Sequence, residues 1–247
     1  MKIGIISDIH ANLEALNKVM SILTNEQKVD EIICIGDIVG YGANPNECVQ
    51  IVKENVKYCV AGNHDYGAVK KTPIKNFNKF GKEAIKWTQR KLSVNNYEYL
   101  QQLPLIKKIP TWNIMTVHSS PSSPSTWQYL LSIEKIRDEF NYFNEKICFV
   151  GHSHQPIVFE KCKNEVNFFT AKNGLNIEIR NKNKYIVNVG SVGQPRDENP
   201  QSSFCIFNTE NNRLRILRID YKIKNAQEKI VEAGLPIFLA GRLAIGI

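Results

Sequence analysis

Side chains that ligate divalent metals or carry protons recur in this sequence at one kind of place, immediately after a short apolar run. Residues 2–7 (KIGIIS) lead to Asp8 and His10, and residues 32–35 (IICI) lead through Gly36 to Asp37. Residues 56–61 (VKYCVA) lead to Asn63 and His64, residues 112–117 (WNIMTV) to His118, and residues 147–150 (ICFV) to His152 and His154. A lone histidine, or a Gly-Asp after a strand, is ordinarily structural. Here all five histidines of the chain fall in these segments, and coincidence leaves little room for that reading.

Carboxylate, imidazole and amide donors together suit a borderline or moderately hard divalent ion such as Mn²⁺, Fe²⁺ or Zn²⁺. The lack of thiolate among them argues against a structural zinc site. Asp8, His10, Asp37, Asn63, His118, His152 and His154 are too many ligands for one ion and suit two that share a bridge. In Asp8-x-His10 and His152-x-His154 the two side chains point the same way if the local backbone is extended. Paired ions about 3.5–4 Å apart clamp an oxygen displacement at phosphorus and acidify water between them. The expected reaction is hydrolysis of a phosphoester by a hydroxide shared between two metals, in line with the leaving oxygen.

Rigid elements must deliver these groups. The runs are short, β-branched and bounded by turn residues, so they read as buried strands, and open α/β sheets place their sites beyond the carboxyl ends of such strands. Apolar spacing at Leu13, Leu16, Val19, Met20 and Leu23 predicts a helix over residues 12–24, and Pro45 opens another through about residue 53. Together these predict a βαβαβ unit with a parallel sheet. Residues 66–103 read as mostly helical, with Phe80, Ala84, Trp87, Thr88 and Leu92 on one buried face. After residue 106 short strands alternate with turns: 156–160, 165–169, 177–180, 184–189, 203–208 and 213–220, with a helix near 133–143. Arg213, Arg215 and Arg218 read as the wet face of the last strand. The tail from Tyr221 reads as two helical segments separated at residues 234–236. No linker or repeat divides the chain, so residues 1–247 are expected to form one domain.

The segments SDIHAN, GDIVGYG, GNHD, HSS, GHSH and NVGSVGQPRD, in that order between residues 7 and 197, resemble the calcineurin-like metallophosphoesterase family, and more closely its small bacterial and archaeal branch of predicted phosphodiesterases. The resemblance implies an α/β/β/α sandwich of two mixed sheets. It assigns Asp8, His10, Asp37 and His154 to one metal, and Asp37 as bridge, Asn63, His118 and His152 to the other. His64 matches the histidine that contacts the phosphate or protonates the leaving oxygen; beside Asp65 it could instead brace its loop. Asn12 would neighbour the phosphate. Arg196 offers a phosphate fork or else pairs locally with Asp197. Ala11 and Ser153 depart from the usual Gly and Thr without removing a ligand. Two divalent ions are implied, Mn²⁺ first, with Fe, Zn or Ni as alternatives. The substrate expected is a small phosphodiester, nucleotides included; a phosphomonoesterase, protein phosphatases among them, or a non-catalytic scaffold is the alternative.

Composition narrows the partners. The formal charge of +8 arises from 32 Lys and Arg scattered among 24 Asp and Glu. Without a basic run, this reads as a solvated basic surface that attracts phosphate rather than a nucleic-acid track. The six cysteines occur singly and lie largely in predicted strands, which suits a reducing cytoplasm. The chain enters its first strand at once, leaving no room for a signal peptide, and the apolar tail is too short to span a bilayer. A cytoplasmic protein without membrane contact is expected, with a homo-oligomer left open.

Overall fold

The computed structural model describes residues 1–130 and 132–247. The first part of the chain runs β1 (Lys2–Ile6), α1 (Leu13–Ser21), β2 (Glu31–Cys34), α2 (Pro45–Asn55), β3 (Tyr58–Cys59), α3 (Asn63–Ala68), α4 (Lys79–Lys91) and α5 (Val94–Gln102). It continues with β4 (Ile106–Ile109), β5 (Ile114–Val117), α6 (Ile133–Glu139), β6 (Ile147–Val150), β7 (Ile157–Cys162), β8 (Glu165–Thr170), β9 (Leu175–Glu178) and β10 (Lys184–Asn188). β11 (Ser202–Asn208), β12 (Arg213–Ile219), α7 (Ile223–Glu232) and α8 (Ile237–Gly241) complete it.

The strands form two six-stranded sheets, ordered β3-β2-β1-β11-β12-β9 and β4-β5-β6-β10-β7-β8. Both are mixed. β1, β2 and β3 run parallel, as the βαβαβ reading requires, and β11 joins β1 antiparallel. In the second sheet β5, β6 and β10 run parallel, flanked by antiparallel β4 and β7.

Alternation along each strand explains the layering. Ile3 and Ile5 of β1, with Ile33 of β2, face inward against Ile147 and Phe149 of β6 and Tyr185 and Val187 of β10, making the core between the sheets. The intervening residues Ile6, Ile32 and Cys34 face outward and bury against α1 and α2 through Ala15, Leu16, Val19, Val49 and Val52. On the other side Met115, Val117, Cys148 and Val150 meet Ile136 of α6 with Phe140 and Phe143. Strands covered on both faces have no wet side, which is why they read as unbroken apolar runs. The result is helices, sheet, sheet, helices.

Local departures from the sequence reading have visible causes. β3 keeps only two residues in its ladder, because Ala61 N–H leaves the sheet to donate to Pro104 O at 2.8 Å. β5 starts later than expected, after a 3₁₀ turn at Pro110–Trp112 that closes on a left-handed Asn113 (φ 54). The helical stretch is broken into α3, a short 3₁₀ turn at Ile74–Asn76, α4 and α5. Among the described residues no helix is long and apolar enough to cross a membrane.

Candidate metal centre and active site

The carboxyl ends of the parallel strands of both sheets converge on one edge. The first sheet sends the loops after β1, β2 and β3, carrying Asp8 and His10, Asp37, and Asn63 with His64. The second sends the loops after β5 and β6, carrying His118, and His152 with His154. All eight side chains are buried. The expectation that the D-x-H and H-x-H pairs sit on extended backbone is corrected. Asp8, His10, Asp37, His152 and His154 have φ of 53°, 51°, 52°, 66° and 60°, in the left-handed region that L-residues enter at a cost. The chain turns sharply at each ligand, and these turns aim the side chains inward.

Two glycines make the close approach feasible. A Cβ on Gly62 would lie 2.0 Å from Asp37 Oδ1, and one on Gly151 would lie 2.1 Å from Ser7 Oγ and 2.5 Å from Asp8 Oδ2. The segment after β10 also reaches the site: Val192 and Gly193 N–H donate to Ser7 O and Asp8 O, both at 2.9 Å, and Ser191 Oγ–H donates to Asp8 O at 2.7 Å. Asn188 Nδ2 holds the last histidine loop through Gly151 O (2.6 Å) and Ser153 Oγ (3.0 Å).

Backbone carbonyls fix the imidazoles. A carbonyl can only accept, so the ring nitrogen facing it must carry the proton. His10 Nδ1–H donates to Val39 O (3.2 Å), His118 Nδ1–H to Ile35 O (2.7 Å), His154 Nδ1–H to Gln194 O (2.5 Å), and His152 Nε2–H to Trp127 O (2.8 Å). In the neutral tautomers the opposite nitrogens therefore present lone pairs to the interior. The Nε2 atoms of His10 and His154 are only 3.0 Å apart, two lone pairs face to face. His154 Nε2 is also 3.2 Å from Asp8 Oδ1, and His118 Nε2 is 3.2 Å from Asp37 Oδ2. Acceptors crowded in this way require a cation among them, either protons or metal ions, and carbonyl-anchored imidazole is how metal ligands are usually oriented.

The donor geometry divides into two groups. Ligand atoms of Asp8, His10, Asp37 and His154 lie within 4.8 Å of one another, as do those of Asp37, His118 and His152. Asp37 belongs to both. Asn63 Oδ1 is buried and, among the described residues, has no hydrogen-bond partner, so an amide oxygen with free lone pairs lies at the base of the cavity that opens onto this centre. The residues present fit a pair of divalent ions.

Electrostatics follow from this crowding. Burial alone would depress His118, but Asp37 and Asp8 outweigh it and push its pKa up to about 10. Burial lowers His152 to about 3, assisted by the positive charge at His118. Burial likewise lowers His64 to about 4, with Arg196 adding to the effect while Asp37 opposes it. Burial and then Asp37 raise Asp65 to about 7.

A cavity of about 170 Å³ opens onto the centre, with Asp37, Asn63, His64, His152 and His154 at its base and Arg196 and Tyr41 to one side. Its walls come from residues 72–78, between α3 and α4, and from residues 126–129, between β5 and α6. His64 lines this space, packed between Tyr41 (4.4 Å between ring centroids) and Phe77 (4.9 Å), while its Nδ1 is buried against Gly40 with no hydrogen-bond partner among the described residues. The brace in its loop is Asp65: it accepts from Gly62 N–H (2.9 Å), Ile38 N–H (2.9 Å) and Val39 N–H (3.2 Å), tying the third loop to the second.

Two expectations about polar side chains change. Asn12 is not a wall of the cavity. Its Oδ1 accepts from Ala15 N–H to cap α1, and its Nδ2 donates to Gly193 O and Tyr221 Oη, so its hydrogen-bonding capacity is spent on structure. Arg218, read as part of a wet strand face, has its side chain covered: the guanidinium donates to both oxygens of Asp197 and to the carbonyls of Asn199 and Gln201. Asp197 is thus taken, and Arg196 turns toward Tyr41 Oη (3.3 Å) and Gln194 Oε1 (2.9 Å), its Nε buried and without a partner among the described residues. Sequence reasoning missed the structural part of Asp65 and the cavity walls Trp127 and Tyr129. Asp65 was visible in the GNHD segment, whereas the other two lie in an irregular loop that has no periodicity to read.

Two mixed sheets back to back, helices outside, and a buried carboxylate–imidazole centre where their strands end define the metallophosphoesterase fold. The chain belongs to the calcineurin-like phosphoesterase superfamily, whose domain matches residues 1–212. This is a metal-dependent family, and the buried Asp/His groups supply ligands of the required kind. The chain is 43% identical over 246 residues to a protein of Methanocaldococcus jannaschii named as uncharacterized protein MJ0912, covering 99% of this chain and 98% of that one. The crystal structure of a metallophosphoesterase from Sphaerobacter thermophilus superposes with a TM-score of 0.88 at 36% identity, over 100% of this chain and 99% of the other. Hypothetical protein PH1004 of Pyrococcus horikoshii shares the fold, with a TM-score of 0.73 at 18% identity over 100% and 98% of the two chains.

Proposed function

We propose that this phosphoesterase hydrolyses small phosphodiesters with two divalent metals, Mn²⁺ foremost. The observation that carries the reading is the pair of ligand groups sharing Asp37. Asp8, His10 and His154 would hold one ion with Asp37, and His118, His152 and Asn63 the other. When bound, such ions supply Lewis acidity toward phosphoryl oxygens and lower the pKa of water at the site.

The chain's own residues do the rest. Arg196, always charged and without a carboxylate partner among the described residues, orients a non-bridging phosphoryl oxygen by its planar fork. His64 is held neutral by burial, and with Nδ1 buried against Gly40 it is the other ring nitrogen that meets the substrate. An arriving phosphate anion offsets the burial penalty and favours its protonation, which suits it to hand a proton to the leaving oxygen. The narrow cavity favours a small ester over a polymer or folded phosphoprotein at its base.

Hydrolysis of a chromogenic phosphodiester beside the matching monoester, on metal-stripped protein with Mn²⁺ restored, tests the reading. Metal-dependent cleavage with the diester faster is expected. A faster monoester reassigns the substrate class, and no cleavage of either by metal-loaded protein overturns the enzymatic reading.

A further inference from the structure

The inner cavity, about 170 Å³, is smaller than the roughly 300–1,000 Å³ of sites that enclose a drug-sized ligand. It admits a phosphoryl group and leaves the organic part of an ester outside. What waits outside is Tyr129. Its ring stacks on the His152 imidazole with centroids 4.2 Å apart and planes at 16°. Tyr129 is 44% exposed although it borders the cavity. It also borders a second groove, of about 380 Å³, to which Trp127 and Gln128 contribute. Tyr129 and Trp127 are therefore walls shared by an inner and an outer compartment.

A bracing role does not account for this placement. His152 is already oriented by its hydrogen bond to Trp127 O, and a ring needed only for packing would be covered. A flat aromatic surface offered at the mouth suits a flat π-system, and such stacking is worth roughly 1–3 kcal/mol per nucleobase by alanine substitution. The side-chain amide of Gln128 can both donate and accept, as the edge of a base requires.

We infer that Tyr129 is a stacking platform for a nucleobase: the ester is a nucleotide whose base lies on Tyr129 in the outer groove while its phosphoryl group enters the inner cavity. This subsite deepens the phosphodiesterase reading and rests on it for the phosphoryl position.

The test is calorimetric binding to the full-length, Mn²⁺-loaded protein. The ligands are the phosphonate analogues of adenosine 5′-monophosphate and ribose 5-phosphate, in which CH₂ replaces the ester oxygen so that nothing is cleaved. The adenosine ligand is expected to bind about 5- to 160-fold tighter. Tyr129→Phe keeps that preference and Tyr129→Ala removes it. Equal binding of the two ligands by the wild type overturns the platform, as does a preference that survives Tyr129→Ala. A Tyr129→Ala variant that weakens both ligands alike shows a brace for His152 instead. Base-dependent binding without hydrolysis of any ester would bring down the enzymatic reading and leave the platform standing, whereas hydrolysis without base preference does the reverse.

Discussion

Arg218 takes both carboxylate oxygens of Asp197, at 2.6 and 3.2 Å, and so frees the neighbouring Arg196 to face the cavity. The side chains of the pair are only 3% and 10% exposed. Removing one partner strands a buried charge, so Arg218→Met should cost about 3–5 kcal/mol, read from urea unfolding. Replacing both, with Asp197→Leu added, should recover most of that loss. If the single variant unfolds like wild type, the pair is not what holds this loop.

Arg196→Ala should leave the unfolding midpoint nearly unchanged and raise KM about tenfold or more. Arg196→Lys should restore little of it, because an ammonium is a point charge and not a fork. Unaltered kinetics in the alanine variant would remove Arg196 from substrate binding.

Metal binding should release a proton from His118. Its pKa in the metal-free fold, about 10, lies above the ordinary 6.5, so the ring is charged at neutral pH and its proton must leave before the nitrogen can ligate. His64 and His152, lowered to about 4 and about 3, are already neutral and release none. The sign is fixed: apparent metal affinity rises with pH, about tenfold per unit for one released proton. In the metal-free chain the stabilisation from charged His118 is complete below about pH 6.5 and fades as pH rises through about 10. Calorimetry in buffers of different ionisation enthalpy should count about one proton fewer for His118→Asn than for wild type. An equal count would refute the assignment.

Gly62→Ala and Gly151→Ala should each abolish bound metal and turnover, since the added methyl would displace Asp37 or Asp8. Gly67→Ala is the control. There the new Cβ meets its nearest neighbours, Ile74 and Phe77, at an ordinary 3.4 Å inside α3, and a gain of roughly 0.5–1 kcal/mol is expected. Metal content and thermal melts separate the two outcomes.

Ala11 sits at φ 52 and is 1% exposed, a conformation that costs a residue with a Cβ about 1–2 kcal/mol. Glycine removes that strain but adds chain entropy, about 0.5–1 kcal/mol the other way. Ala11→Gly should therefore stabilise modestly, by up to about 1 kcal/mol. A destabilised variant would mean that the Ala11 methyl packs better than its backbone suffers.

The candidate ligands were legible because rigid strands announce themselves as apolar runs and the ligating residue follows directly. Their division into two groups with Asp37 common to both was implied only by the family resemblance. The conformation at the strand ends was not legible. Nothing in Asp8-x-His10 shows that both residues are left-handed, because that depends on contacts such as His10 N–H to Asp37 O and Gly193 N–H to Asp8 O. Arg218 was misread for a related reason: strand alternation says which face a residue takes, but whether that face is wet depends on the loop at residues 197–201 lying over it. Asn12 was placed near the phosphate by resemblance, while its local duty as a helix cap is written in its position just before an apolar helical repeat.

The two ligand groups also have a mechanical meaning. Asp8, His10 and Asp37 extend from one sheet, His118, His152 and His154 from the other, and each group contains members of both. Any ion seated in either group is a cross-link between the halves of the sandwich. Occupancy and cohesion then become one equilibrium: at a free-metal concentration a hundredfold above Kd, each ion adds about 2.7 kcal/mol against unfolding. Chelation should lower the melting temperature as well as the rate, and the strand ends that carry the ligands should be the first backbone amides to exchange with solvent.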